Sequence, residues 1–271
     1  MQSVEAKGFK IPIVGLGTWM LRGRDCARLT EQAIRIGYRH IDTAQMYENE
    51  REVGEGVRAS GKRNEVMVTT KVQPTMLAPH DLERSVKESL AKLRLDHIDL
   101  LLVHWPNPRV PLAETLGAMG RMRDAGYTRE IGVSNFTVAL LEEATKVSPA
   151  PLVCNQIECH PFLDQGKVIA ACRQLGMAVV AYSPIARGSA KGDAVLERIA
   201  KAHGKTAAQV SLRYLVQQNI VVIPRTSKIQ RLEENIALFD FTLTEAEMAE
   251  IAALGARRER IVDWSYSPKW D

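Results

Sequence analysis

Apolar residues follow two rhythms that alternate along this chain. Short, dense apolar runs are each followed, after a few polar or turn-forming residues, by a longer stretch in which apolar positions recur every three or four. The first run, Val14–Thr18, precedes a helical pattern over Asp25–Ile36, with Cys26, Leu29, Ala33 and Ile36 on one face and Asp25 placed as N-cap. His40–Asp42 predicts a second strand. Glu48–Ala59 predicts a charged amphipathic helix with Val53 and Val57 on one side and Gly61 closing it. Val66–Val72 is a third strand, followed by a helix over Pro79–Leu93 that aligns Leu82, Val86, Leu90 and Leu93. Ile98–Val103, IDLLLV, is the dense run expected of a parallel strand covered on both faces.

The second half repeats the pattern. A helix over Leu112–Ala125, a strand over Glu130–Val133, a helix over Val138–Lys146 and a strand over Leu152–Ile157 come first. A helix over Lys167–Leu175, a strand over Ala178–Ala181, helices over Ala194–His203 and Ala207–Gln217, and a strand over Ile220–Ile223 follow. Helices over Gln230–Leu238 and Glu245–Ala253 end the series. At the other end, VEAKGFKIP with turn-forming Lys7-Gly8 predicts a β-hairpin that plugs one end of the fold.

Eight strands, each followed by helix across short connections, predict an α/β chain folded as a (β/α)8 TIM barrel, a single domain over residues 1–271. The competing arrangement is an open doubly wound sheet. Its dinucleotide-binding form carries GxGxxG between the first strand and helix, and this chain has GLGTW there, without the third glycine.

Composition bounds the function. At 45% hydrophobic and 25% charged residues the chain is an ordinary globular protein. A balance of 36 basic against 32 acidic residues, net +4, is too small and dispersed for nucleic acid and suits a local basic pocket for an anionic ligand. No apolar run approaches the ~20 residues that span a bilayer, and MQSVEAKGFKIP lacks a signal-peptide core, so a cytoplasmic protein without membrane partners is expected. Cys26, Cys154, Cys159 and Cys172 have no CxxC spacing and are expected as reduced thiols. Cys154, Cys159 and His160 lack a second ligand pair, so no metal is expected.

A barrel places its chemistry at the carboxyl ends of its strands. Taken in order, those ends carry Thr18 and Trp19, Asp42, Lys71, His104, Ser134 and Asn135, Gln156, Tyr182 and Ser183, and Arg225 and Thr226. Each alone has a plainer reading: Asp42 as a helix cap, Tyr47 as half-buried packing, His104 as a core histidine, Ser134 and Asn135 as a cap pair for the next helix. Lys71 at the end of an apolar strand requires a carboxylate partner, and Asp42 one strand away can supply it. The joint arrangement points to an acid-base site.

These stretches carry a family resemblance. GLGTW at Gly15, HIDTAQMYENE from His40, TTKV at Thr69, IDLLLVHWP from Ile98, REIGVSNF from Arg129, NQIECHP from Asn155, AYSPIARG from Ala181 and IPRTSKIQRLEEN from Ile223 span nearly the whole chain. Together they resemble the aldo-keto reductases, most closely the bacterial branch of 2,5-diketo-D-gluconate and methylglyoxal reductases. The resemblance implies NADPH/NADP as cofactor and Asp42, Tyr47, Lys71 and His104 as a catalytic tetrad. It implies a nicotinamide held by Ser134, Asn135 and Gln156, with Tyr182 stacked on the ring and Thr18, Trp19, Asp42, Ser183 and Ile185 around the cofactor. It places Arg225, Thr226 and Arg231 at a 2′-phosphate and Glu234 and Asn235 near the adenine. Arg225 stands where many members carry lysine.

Carbonyl reduction needs a hydride at carbon and a proton at oxygen, and no side chain delivers hydride. Tyr47, a phenol near pKa 10, donates well only as charge builds on the carbonyl oxygen. Lys71 is expected to lower that pKa, Asp42 to keep Lys71 charged, and His104 to orient the carbonyl. Trp19, Met20, Met46, Tyr47, His104, Trp105 and Trp264 are expected to wall the substrate pocket. The short WPNPRVPL segment and short tail favour a small polar carbonyl, and a monomer is expected. Two rivals remain open: a barrel lyase using Lys71 as Schiff-base nucleophile, and a non-catalytic NADPH sensor.

Overall fold

The computed structural model describes residues 2–271. An antiparallel hairpin, β1 (Ser3–Ala6) and β2 (Phe9–Pro12), opens the chain. Its turn residue Lys7 abuts Gly176 just ahead of the seventh barrel strand, which sets the hairpin across the amino-terminal end of the barrel.

The barrel strands are β3 (Leu16–Gly17), β4 (His40–Asp42), β5 (Met67–Val72), β6 (Ile98–Val103), β7 (Thr128–Ser134), β8 (Leu152–Glu158), β9 (Ala178–Tyr182) and β10 (Val221–Val222). They lie side by side in chain order, and all pair in parallel. Closure comes from parallel bridges Val14–Val222 and Gly17–Arg225, with the Gly15 N–H donating to Val222 O at 2.8 Å and the Val222 N–H to Ile13 O at 2.9 Å. The ring is therefore a barrel and not an open sheet.

Around it lie α1 (Gly23–Ile36), α2 (Glu50–Ala59), α3 (Pro79–Leu93), α4 (Leu112–Asp124), α5 (Val138–Val147), α6 (Gly166–Gln174), α7 (Ala194–His203), α8 (Ala207–Val216), α9 (Ile229–Ile236) and α10 (Glu245–Ala253). Two expected helix starts are corrected. Asp25 does not cap α1: Arg22 is the cap residue, and Asp25 sits inside the first turn paired with Arg28 at 3.2 Å. Glu48 lies outside α2, in a left-handed conformation (φ 53°) that ends a 3-10 turn over Gln45–Tyr47. That turn, not a helix, carries Tyr47.

Every residue of β5 and β6 is buried, as the dense runs require. Side chains two apart share a face, so His40 and Asp42 both enter the barrel, as do Thr69 and Lys71. His40 Nε2 meets Thr69 Oγ1 at 3.1 Å, one layer below Asp42 and Lys71. On the outside, α2 crosses α3 so closely that a Cβ at Gly54 would sit 2.0 Å from Leu93 O. A second apolar cluster, including Phe162, Ile199, Val210 and Ile251, fills the space under α7, α8 and α10. Among the described residues, no helix is long and apolar enough to cross a membrane.

Candidate active site

Strand ends and one turn bring four side chains together. Asp42 closes β4, Lys71 is the penultimate residue of β5, His104 follows β6, and Tyr47 ends the 3-10 turn after β4. Lys71 is fully buried, and its Nζ donates to Asp42 Oδ1 at 2.5 Å, Thr43 O at 2.8 Å and Tyr47 Oη at 3.4 Å. Asp42 Oδ2 accepts from Gln156 Nε2 at 2.7 Å, so each carboxylate oxygen has its own donor. Asp42 caps no helix. The His104 ring meets the Tyr47 ring edge-on, centroids 5.6 Å apart.

Burial dominates the electrostatics. It pushes the Tyr47 phenol well above its usual range, and the Asp42 charge adds to the rise. The expected lowering by Lys71 is therefore not the net effect: burial and the Asp42 charge both act in the opposite direction. Lys71 itself is lowered by burial, a fall opposed by Asp42. His104 is held well below its ordinary value by burial and then by Lys71, which leaves it neutral near pH 7 with one ring N–H to donate.

A cavity of about 450 Å³ opens above these groups. Of the expected cofactor residues, Thr18, Trp19, Asp42, Asn135, Gln156, Tyr182, Ser183, Ile185, Arg225 and Arg231 line it. Ser134, Thr226, Glu234 and Asn235 do not. The Ser134 hydroxyl donates to Gln156 O at 2.8 Å and accepts from Asn135 Nδ2 at 3.1 Å, so it braces the strand end. Thr226 Oγ1 accepts from the Lys228 N–H at 3.0 Å and shapes the entry to α9. Glu234 is taken up by Thr206 Oγ1 at 2.6 Å, and Asn235 is buried. The suggested cap pair is corrected: Thr137 caps α5, while Asn135 receives the Tyr182 hydroxyl at 2.8 Å and donates to His104 O at 2.9 Å.

A profile described as the Aldo/keto reductase family matches residues 13–256. The chain belongs to the aldo/keto reductase family. Methylglyoxal reductase DkgB of Yersinia pestis is 40% identical over 266 residues, covering 96% of this chain and 99% of that protein. A crystal structure provisionally assigned as a 2,5-diketo-D-gluconic acid reductase B superposes with a TM-score of 0.98 at 47% identity, covering 100% of this chain and 98% of the other. The Bombyx mori aldo-keto reductase solved in complex with NADP gives 0.90 at 36% identity, covering 97% and 95%. This reductase is thus an oxidoreductase of carbonyl groups.

On the substrate side of the reductase, Trp19, Met20, Met46, Tyr47, His104, Trp105 and Trp264 all line the cavity, as expected from sequence. Trp105 is buried, wedged edge-on between Tyr266 (5.6 Å) and Trp270 (6.1 Å) of the tail. Sequence reasoning missed Arg187, Val262 and Tyr266, which line the cavity together with Gly17, Pro184, Gly188 and Ile223. Arg187 spans the cavity mouth with its guanidinium 4.6 Å from the Trp19 ring centroid. A lone arginine among small residues in SPIARG was the available signal; Val262 and Tyr266 had none, because only folding brings this part of the tail over β6.

The four cysteines are free and buried, and burial pushes Cys26, Cys159 and Cys172 up to about 12, so they are unreactive thiols. His160 pairs with Glu158 at 3.0 Å. Among the described residues, no three His, Cys, Asp or Glu side chains gather into a metal set.

Proposed function

We propose that this reductase takes NADPH and reduces small polar carbonyls of the methylglyoxal or 2,5-diketo-D-gluconate type to alcohols, with Tyr47 as general acid. The carrying observation is the Tyr47 hydroxyl 3.4 Å from Lys71 Nζ, at the wall of a cavity that His104 also lines.

The donor set fits the cofactor. Asn135 and Gln156 present amides that match a carboxamide, the Tyr182 ring offers an aromatic face, and Arg225 and Arg231 offer guanidiniums for a phosphate. When bound, NADPH supplies the hydride. Tyr47 holds the proton, and its raised pKa keeps the phenol protonated until negative charge builds on the carbonyl oxygen beside it. Neutral His104 donates a hydrogen bond to that oxygen and fixes the carbonyl face. Lys71 and Asp42 hold Tyr47 in place and carry a net charge near zero, which avoids a strongly acidic phenol. The lyase alternative needs an amine that opens onto the cavity, whereas Lys71 is fully buried with Nζ held on three sides.

Tyr47→Phe tests the reading. Reduction of methylglyoxal should fall by about 10²–10⁴-fold, while NADPH still quenches tryptophan fluorescence through Trp19 and Trp105. Loss of both together would disprove the role of Tyr47 as proton donor.

A further inference from the structure

Gln45 opens the turn that carries Tyr47, and its side-chain amide is tied at both ends. Oε1 accepts from the backbone N–H of Gln73 at 3.0 Å. Nε2 faces Ser85 O at 3.2 Å, Ser85 Oγ at 3.1 Å and Ser89 Oγ at 3.0 Å, three acceptors for its two protons. Gln73 lies two residues beyond Lys71 on the way out of β5, and Ser85 and Ser89 are buried on α3. One side chain therefore fastens the Tyr47 turn both to the strand end bearing Lys71 and to the helix behind it.

The turn has little stiffness of its own: a three-residue 3-10 segment followed by left-handed Glu48. On its far side it is anchored by Asn49, whose Nδ2 donates to Thr18 O at 2.8 Å and Leu21 O at 3.0 Å and whose Oδ1 accepts from Thr43 Oγ1 at 2.7 Å; none of these ties reaches Gln73 or α3. The Tyr47–Lys71 contact at 3.4 Å is at the long end of a hydrogen bond, where a small displacement decides whether it is made.

We infer that Gln45 is a positioning residue: through Gln73 it sets the distance between the Tyr47 hydroxyl and the Lys71 ammonium, and through Ser85 and Ser89 it fixes that distance against α3. This role rests on the reading of Tyr47 as proton donor, so the test runs beside Tyr47→Phe. Gln45→Met keeps the side-chain length and removes every hydrogen bond. Ser85→Ala with Ser89→Ala removes the helix tie and leaves the Gln73 tie.

Gln45→Met should lower kcat about 10- to 100-fold, leave the Kd of NADPH within about twofold, and shift the alkaline limb of the kcat–pH profile, because moving the turn changes both the burial of the phenol and its distance from Asp42 and Lys71. The serine pair should give a smaller fall with a shift in the same direction. A residue that only supports the fold would lower Tm and the fraction of NADPH-binding sites while leaving kcat per site and the pH limb in place. That result overturns the inference, as does an equal loss of kcat and NADPH affinity. Should Gln45→Met fail to fold, the serine pair decides by the same two readouts. Activity surviving Tyr47→Phe would defeat the assignment of Tyr47 itself; activity lost there but kept in Gln45→Met would defeat the role of Gln45 alone.

Discussion

Lys71 Nζ and Asp42 Oδ1 stand 2.5 Å apart with both side chains almost wholly out of solvent. Removing one partner of such a pair strands the other charge at a cost of about 3–5 kcal/mol, whereas removing both is often near neutral. Lys71→Met is therefore expected to lose roughly that much stability in urea unfolding. Asp42→Asn combined with Lys71→Met is expected to recover most of it, although neither protein should reduce carbonyls efficiently. A double variant no more stable than the single one would show that the two groups are not coupled.

Arg231 lines the cavity beside Arg225, but Arg225 already donates to Trp19 O at 3.2 Å. Among the described residues the Arg231 guanidinium has no such partner, which makes it the proposed contact for a 2′-phosphate. Arg231→Ala should raise the KM for NADPH about tenfold or more, the equivalent of a charged hydrogen bond at ~1.5–3 kcal/mol, and change that for NADH less than about twofold. Steady-state kinetics with both cofactors checks this; parallel losses would place the 2′-phosphate elsewhere.

Gly54 lets α2 rest directly on the backbone of α3, and its Cβ would lie 2.0 Å from Leu93 O. Gly54→Ala cannot be absorbed by a rotamer change, since the obstacle is main chain. A loss of about 2 kcal/mol or more is expected, seen as a Tm several degrees lower. An unchanged Tm would mean that the two helices part without cost.

Burial brings His40 down from 6.5 to about 4. The unfolded chain binds this proton from about pH 6.5 downward and the folded chain does not until about pH 4, so stability from His40 is fully present above pH 6.5 and is lost as pH falls through that window. At ~1.4 kcal/mol per unit the loss is about 3 kcal/mol. Urea unfolding at pH 7 and pH 4.5 should show it, and His40→Gln should flatten the slope. An identical slope in the variant would assign the acid sensitivity to other groups.

Much of the fold was legible because its signals are local. Ile98–Val103 and Pro79–Leu93 fall where the apolar pattern put them, residue for residue. The gathering of Asp42, Lys71 and His104 was legible because strand ends in a parallel barrel share one rim, and Tyr47 joins them from the turn just after β4. What escaped depended on conformation or distance. Glu48, Ala186 and Arg187 adopt positive φ without being glycine, so nothing in the sequence marks the turn after Tyr47 or the path of Arg187 across the mouth. The Ser134 hydroxyl bonds to Gln156 O, a partner set by the neighbouring strand and not marked in the sequence. The tail reaches its place by contacts such as Asp271 accepting from the Val138 N–H at 3.1 Å, across more than a hundred residues.

The barrel is closed where β3 meets β10, each only two residues long, and Arg225 pairs there with Gly17 while its side chain reaches the backbone of Trp19. This is the thinnest part of the hoop, a seam sewn with few stitches. In the proposed cofactor mode, a nucleotide that touched Arg225 as well as Arg231 would lie across that seam and add one more. The loaded enzyme would then also be the better-fastened one, its resistance to unfolding rising and falling with the supply of cofactor around it.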